Sequence, residues 1–181
     1  MTSIRLIASL LIVAILGVAV GHTEEKKIVM THVKYDGLKQ EVLKHRGKVV
    51  VLDFWATNCP PCMASFPKFI KMHEKYGDKG LVVISVSLDP TTVPDDPKEE
   101  SRVQRANRFL TKQNSPLRNL LLDEPAEVWD KKFDFKSLPF YYVFDRHGKW
   151  VRFRAADYEG KKEGLLYEDL ETTVVKMLSE K

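Results

Sequence analysis

Residues 48–62, KVVVLDFWATNCPPC, restrict this chain more than any other stretch. A β-branched apolar run leads into the polar pair Thr57-Asn58 and then into two cysteines separated by two prolines. The run Val49-Val50-Val51-Leu52 is apolar at every position, which suits a strand buried on both faces, as central parallel strands are. Helices must then cover both sides of its sheet. Cys59 and Cys62 are the only cysteines among the 181 residues. Such a pair, just past a buried strand and opening a helix, is the pattern of a redox dithiol.

At 181 residues and 44% hydrophobic, the chain can bury one good core and hardly two, so one domain and a monomer are expected. Its 29 basic and 25 acidic side chains give a net charge of +4 that forms no basic block, so no nucleic-acid partner is implied. The N-terminus reads as a targeting segment. Arg5 precedes the uncharged apolar run of residues 6–20, and Ala19-Val20-Gly21 puts small residues before the polar residues 22–27. The run of 15 residues falls short of the roughly 20 that span a bilayer. Cleavage is therefore favoured over a retained anchor, with no cysteine nearby to take a lipid. The expected division is a signal peptide or N-terminal anchor at residues 1–21 and a single domain at 22–181. The location is extracytoplasmic, either a bacterial periplasm or a secreted form.

Export to an oxidising compartment makes a structural disulfide the plain alternative for the cysteines. A Cys59–Cys62 bridge would close a loop of only a few residues, however, and would restrict the unfolded chain little.

The periodicities predict a short strand within residues 27–35, a helix over 36–46 ended by Gly47, and a strand over 49–55. Phe66, Phe69, Ile70, His73 and Tyr76 mark the apolar face of a helix over residues 60–76, with Gly77 as its stop and Pro67 expected to kink it. A buried strand over 81–88 leads to a proline-rich loop. The next helix is expected to start with Asp96 as its cap and Pro97 at its first position, with Val103, Ala106, Phe109 and Leu110 facing inward. A strand over 117–122, a short helix over 125–132 that buries Trp129, and a hairpin of strands 140–144 and 149–154 follow. A helix over 165–178 closes the domain. The order gives a mixed sheet with helices on both faces.

The chain from about residue 27 to its end resembles the thioredoxin-fold thiol-disulfide oxidoreductases of the exported TlpA/ResA type. Four features carry the resemblance: Asp53-Phe54-Trp55-Ala56 before Cys59-Pro60-Pro61-Cys62, Pro67 five residues after the second cysteine, Leu138-Pro139 before the last hairpin, and an additional helix over 98–112. The fold implied is α/β, a thioredoxin-like three-layer α/β/α sandwich with a mixed central sheet and an extra helix insertion. The resemblance implies that Pro139 is cis beside the cysteines and that the Leu138 backbone receives an extended substrate. It also gives Asp53 the task of shuttling a proton.

The residues can be read for chemistry on their own terms. Cys59, at the edge of a helix N-terminus, is the candidate nucleophile, since free N–H groups there stabilise a thiolate. Cys62, one turn further in, would resolve the mixed disulfide, and the exchange needs no cofactor. Asp53 inside an apolar strand would be desolvated and able to accept a proton from Cys62; a strand-end acid facing solvent is the plainer alternative. Where thioredoxin sets a lysine beside this acid, Ser85 stands here. Trp55 is read as core and as the wall of the site, and Asn58 and Pro60 as the rim beside Cys59. For Pro139 an ordinary trans edge proline remains open. His73 and Tyr76 suit a helix face, and His147 a solvated turn.

The expected function is reduction or exchange of disulfides in partner proteins, with electrons from a membrane thiol donor that the sequence does not show. Two other functions stay open. A copper-binding protein would want a further His or Met near the CxxC. A peroxidase of the peroxiredoxin type would want Pro ahead of a Thr-x-x-Cys, and residues 51–55 contain none. Half a zinc site lacks its other ligands, so no metal is expected.

Overall fold

A computed structural model describes residues 27–91, 100–162 and 165–180. The elements are β1 (Thr31–Val33), α1 (Tyr35–Leu43), β2 (Val49–Trp55), α2 (Pro60–Tyr76), β3 (Leu81–Ser87), α3 (Arg102–Lys112), β4 (Arg118–Leu122), α4 (Ala126–Phe133), β5 (Phe140–Phe144), β6 (Trp150–Arg154) and α5 (Leu165–Ser179). The strands form one sheet in the order β1-β4-β3-β2-β5-β6. The first four are parallel to one another, while β5 and β6 run antiparallel to their neighbours. β2 lies inside the sheet and every one of its residues is buried, as its unbroken apolar run requires.

Alternation along β2 divides the core. Val49, Val51 and Trp55 join Phe66, Phe69 and Met72 of α2 together with side chains of α3 and α5. Val50, Leu52 and Phe54 join Leu38 of α1 and Trp129 and Phe133 of α4 on the other face. The result is the expected three-layer α/β/α sandwich. It places the start of α2, and with it both cysteines, at the C-terminal end of a central strand, where open α/β sheets present their sites.

The expected bounds hold for β2, α2 and β5 and shift elsewhere for local reasons. β1 has three residues because side chains of α3 take the backbone donors before it: Thr111 Oγ1 accepts from Ile28 N and Asn107 Oδ1 from Met30 N. Gly77 is helical at φ −55°, so α2 passes into a 3-10 turn, and Gly80 at φ 95° makes the left-handed reversal into β3. α2 also continues through Pro67.

α3 begins later than expected. Ser101 is its cap and forms a reciprocal box with Gln104, in which Ser101 Oγ accepts from Gln104 N and Gln104 Oε1 accepts from Ser101 N. The expected cap at Asp96 and Pro97 lies outside the described residues, as does the targeting segment at residues 1–21. Among the described residues no helix is long and apolar enough to cross a membrane.

Candidate active site

Cys59 is the N-cap of α2 and is joined to Cys62 by a disulfide of 2.03 Å. Pro60 and Pro61 fill the first helical positions, where a missing N–H costs nothing. The first donor of α2 that can turn to the cap is the Cys62 N–H, and it points at Cys59 Sγ at 3.3 Å. A thiolate on Cys59 would accept that same bond at the positive end of the helix. The polar break at Thr57-Asn58 leads one to expect an open thiol. Cys59 in fact keeps only 7% exposure and Cys62 1%, because the turn folds down onto the core. Asn58 and Pro60 stand exposed on either side of Cys59.

Asp53 lies on the same face of β2 as Val51 and Trp55, facing the layer that holds both cysteines. The solvent-facing alternative is overturned: its exposure is 1%, and neither carboxyl oxygen has a hydrogen-bond partner. Loss of hydration alone pushes its pKa up to about 8. Its cross-strand neighbours are Ser85 on β3 and Tyr141 on β5. Ser85 makes no hydrogen bond to the acid, whose two oxygens have no partner; its hydroxyl oxygen accepts the Trp55 indole N–H at 2.7 Å. Tyr141 carries a phenol that burial, and next the Asp53 charge, holds well above the usual range; its hydroxyl lies 3.4 Å from Ser65 Oγ.

Trp55 corrects one expectation. With 0% exposure, and with its ring packed on Phe66 and Phe109, it offers no surface to a substrate; it is core behind the disulfide.

The Leu138-Pro139 peptide bond is cis. Both residues, with Pro61, Ser65, Tyr141 and Tyr158, line a surface groove of about 460 Å³ that runs beside the start of α2. A second cavity of about 310 Å³ lies between α1, α4 and the sheet; neither the cysteines nor Asp53 line the groove or this cavity. Among the described residues no group of three or more His, Cys, Asp and Glu side chains is arranged to hold a metal ion. His147 sits exposed in the β5–β6 turn, as expected, and His73 lies half-buried on α2 with no partner for its Nδ1.

One residue was not foreseen. Asp89, two positions beyond β3, is buried to 1% and its carboxylate accepts from Thr57 and Ser87. In sequence it is one aspartate of a proline-rich loop, and only the Ser-x-Asp spacing after a buried strand hints at a local turn.

Residues 26–153 match the AhpC/TSA family. The chain is 28% identical over 164 residues to the thiol-disulfide oxidoreductase ResA of Bacillus cereus, an alignment that covers 82% of this chain and 86% of that protein. A ResA of Bacillus thuringiensis is also 28% identical, over 117 residues that cover 65% of this chain and 60% of that one. Among solved structures, one assigned to a thiol:disulfide interchange protein DsbE from Chlorobium tepidum superposes with a TM-score of 0.55 at 29% identity, covering 76% of this chain and 85% of that one.

Proposed function

The chain belongs to the AhpC/TSA family, and from that premise we propose that it is an exported thiol-disulfide oxidoreductase that reduces or exchanges disulfides in partner proteins through Cys59 and Cys62. The observation that carries this reading is the Cys59–Cys62 pair at the first turn of α2, with the Cys62 N–H aimed at the Cys59 sulfur.

In the reduced protein the Cys59 thiolate attacks a substrate disulfide, forming a mixed disulfide and releasing one substrate thiolate. Cys62 then loses its proton and attacks Cys59, which frees the second substrate thiol and closes the bridge. Two electrons pass to the substrate. An external dithiol, in this proposal a membrane thiol carrier, must restore them. Asp53, with its pKa near that of a thiol, is suited to take the Cys62 proton and return it. The groove beside cis-Pro139 would hold the substrate in extended form, with the Leu138 backbone as its hydrogen-bonding edge and Asn58 and Pro60 at its rim. The apolar run at residues 6–20 supports export.

A Cys62→Ala variant tests the proposal, because the mixed disulfide on Cys59 then has no resolving thiol. It should accumulate covalent partners that dithiothreitol releases, while the wild-type protein reduces insulin disulfides. Capture of no partner together with no insulin reduction would remove the oxidoreductase reading. Consumption of hydrogen peroxide faster than disulfides would turn it into a peroxidase.

A further inference from the structure

We propose that Asp89 and Thr57 form a positioning clamp that holds the turn before Cys59 and so keeps the Cys59 sulfur on the Cys62 N–H. The inference rests on the oxidoreductase reading above and adds residues to it that do not touch the reacting sulfurs.

The ends of β2 and β3 lie side by side, with Trp55 opposite Ser87 and Leu88 N donating to Trp55 O at 2.8 Å. From there the chain carries Asp89 across the turn that follows β2. Both carboxylate oxygens accept the Thr57 N–H, at 3.1 and 3.0 Å, and Oδ1 also accepts the Thr57 hydroxyl at 2.6 Å. Oδ2 accepts the Ser87 hydroxyl at 2.9 Å, and Ser87 Oγ in turn accepts Asp89 N at 3.1 Å. A carboxylate buried this deeply is held only when its lone pairs are filled, and here most of the donors come from Thr57. Among the described residues no salt bridge to Asp89 is formed.

Thr57 stands two residues before the candidate nucleophile. Between them, Cys59 N donates to Ala56 O at 3.0 Å and Asn58 is exposed. The turn is thus fixed by one backbone bond within it and by the clamp. Loosening the clamp lets the Cys59 sulfur drift off a donor that favours its thiolate.

The test uses the reduced full chain with Thr57→Val, Thr57→Ser and Asp89→Asn. The readouts are the pH dependence of Cys59 alkylation by iodoacetamide and the rate of exchange with a peptide disulfide at a pH one unit below the wild-type alkylation midpoint. Thr57→Val removes one hydroxyl and leaves the carboxylate in place. It should move the alkylation midpoint up by about half a pH unit, which at a pH one unit below the wild-type midpoint lowers the thiolate fraction about threefold. The more basic thiolate is also a better nucleophile, so exchange should slow by about twofold. Thr57→Ser restores the hydroxyl and should restore both readouts. Asp89→Asn should shift the midpoint in the same upward direction.

A residue with a folding role alone would lower the melting temperature of Thr57→Val and leave the midpoint where it was, and that result overturns the clamp. A downward shift in Asp89→Asn would also overturn it, since the carboxylate would then be acting as a bare charge on Cys59. Alkylation needs no partner protein. Absence of exchange by the wild type would therefore count against the oxidoreductase reading, while the midpoints still decide the clamp.

Discussion

Asp53 is a carboxyl held in the sheet without a hydrogen-bond partner, and its pKa is pushed up to about 8 from the ordinary 3.8 by loss of hydration. Between those two values the folded protein keeps a proton that the unfolded chain has lost, so stability falls as pH rises through that window. At pH 7 the cost is on the order of 4 kcal/mol. Asp53→Asn does not titrate, so it should be more stable than the wild type, and by a few kcal/mol more at pH 8 than at pH 5. Urea unfolding of the oxidised proteins at the two pH values measures this; a gain that is the same at both would show that the carboxyl is not its source. With Cys62 intact, the variant should also slow resolution of the mixed disulfide on Cys59, because Cys62 would lose its proton acceptor. At this scale the sequence marked Asp53 by its place in an apolar strand, and the resemblance to thioredoxin marked Ser85 as its neighbour. It could not show that Ser85 accepts the Trp55 indole N–H, a bond between side chains that only strand register brings together.

The elements that bear the cysteines are local structures and were legible as such. α2 has its prolines at the first turn and aromatic side chains at helical spacing, and its bounds follow from those signals. α3 shows how two cap signals compete. Asp96-Pro97 is a good start in isolation, and Ser101 with Gln104 three residues on is the box that α3 uses, satisfying two donors at once. Ser101→Ala should cost about 1 kcal/mol. It would appear as a lower urea midpoint with an unchanged slope, and the rate of disulfide exchange should stay the same, since α3 carries no cysteine. A change in slope would instead point to an altered unfolded state. Gly77 and Gly80 make the same point at the end of α2. In sequence Gly77 reads as the stop, and the left-handed φ falls instead at Gly80, where the chain must turn back into the sheet.

In the whole molecule two apolar layers hold the fold together, one on each face of the sheet, and the disulfide adds little to them. A bridge between residues three apart in sequence restricts the unfolded chain by about 2 kcal/mol in the chain-entropy account. Reduction should therefore lower the melting temperature by less than about 8 °C, with a single cooperative transition retained in a calorimetric scan. Loss of cooperativity on reduction would show that the bridge is a structural staple, the plain alternative raised by the expectation of export. The sequence by itself determined the buried central strand, the helix that follows it, the redox pair at their junction and the α/β order of the rest, because period, proline position and cysteine spacing are properties of neighbouring residues. Only the tertiary structure decided that Asp53 is left without a partner, that Cys59 is nearly covered, and that Asp89 reaches back over 32 residues to Thr57. Those outcomes depend on which strands lie side by side and in what register, and no stretch of chain carries that information alone.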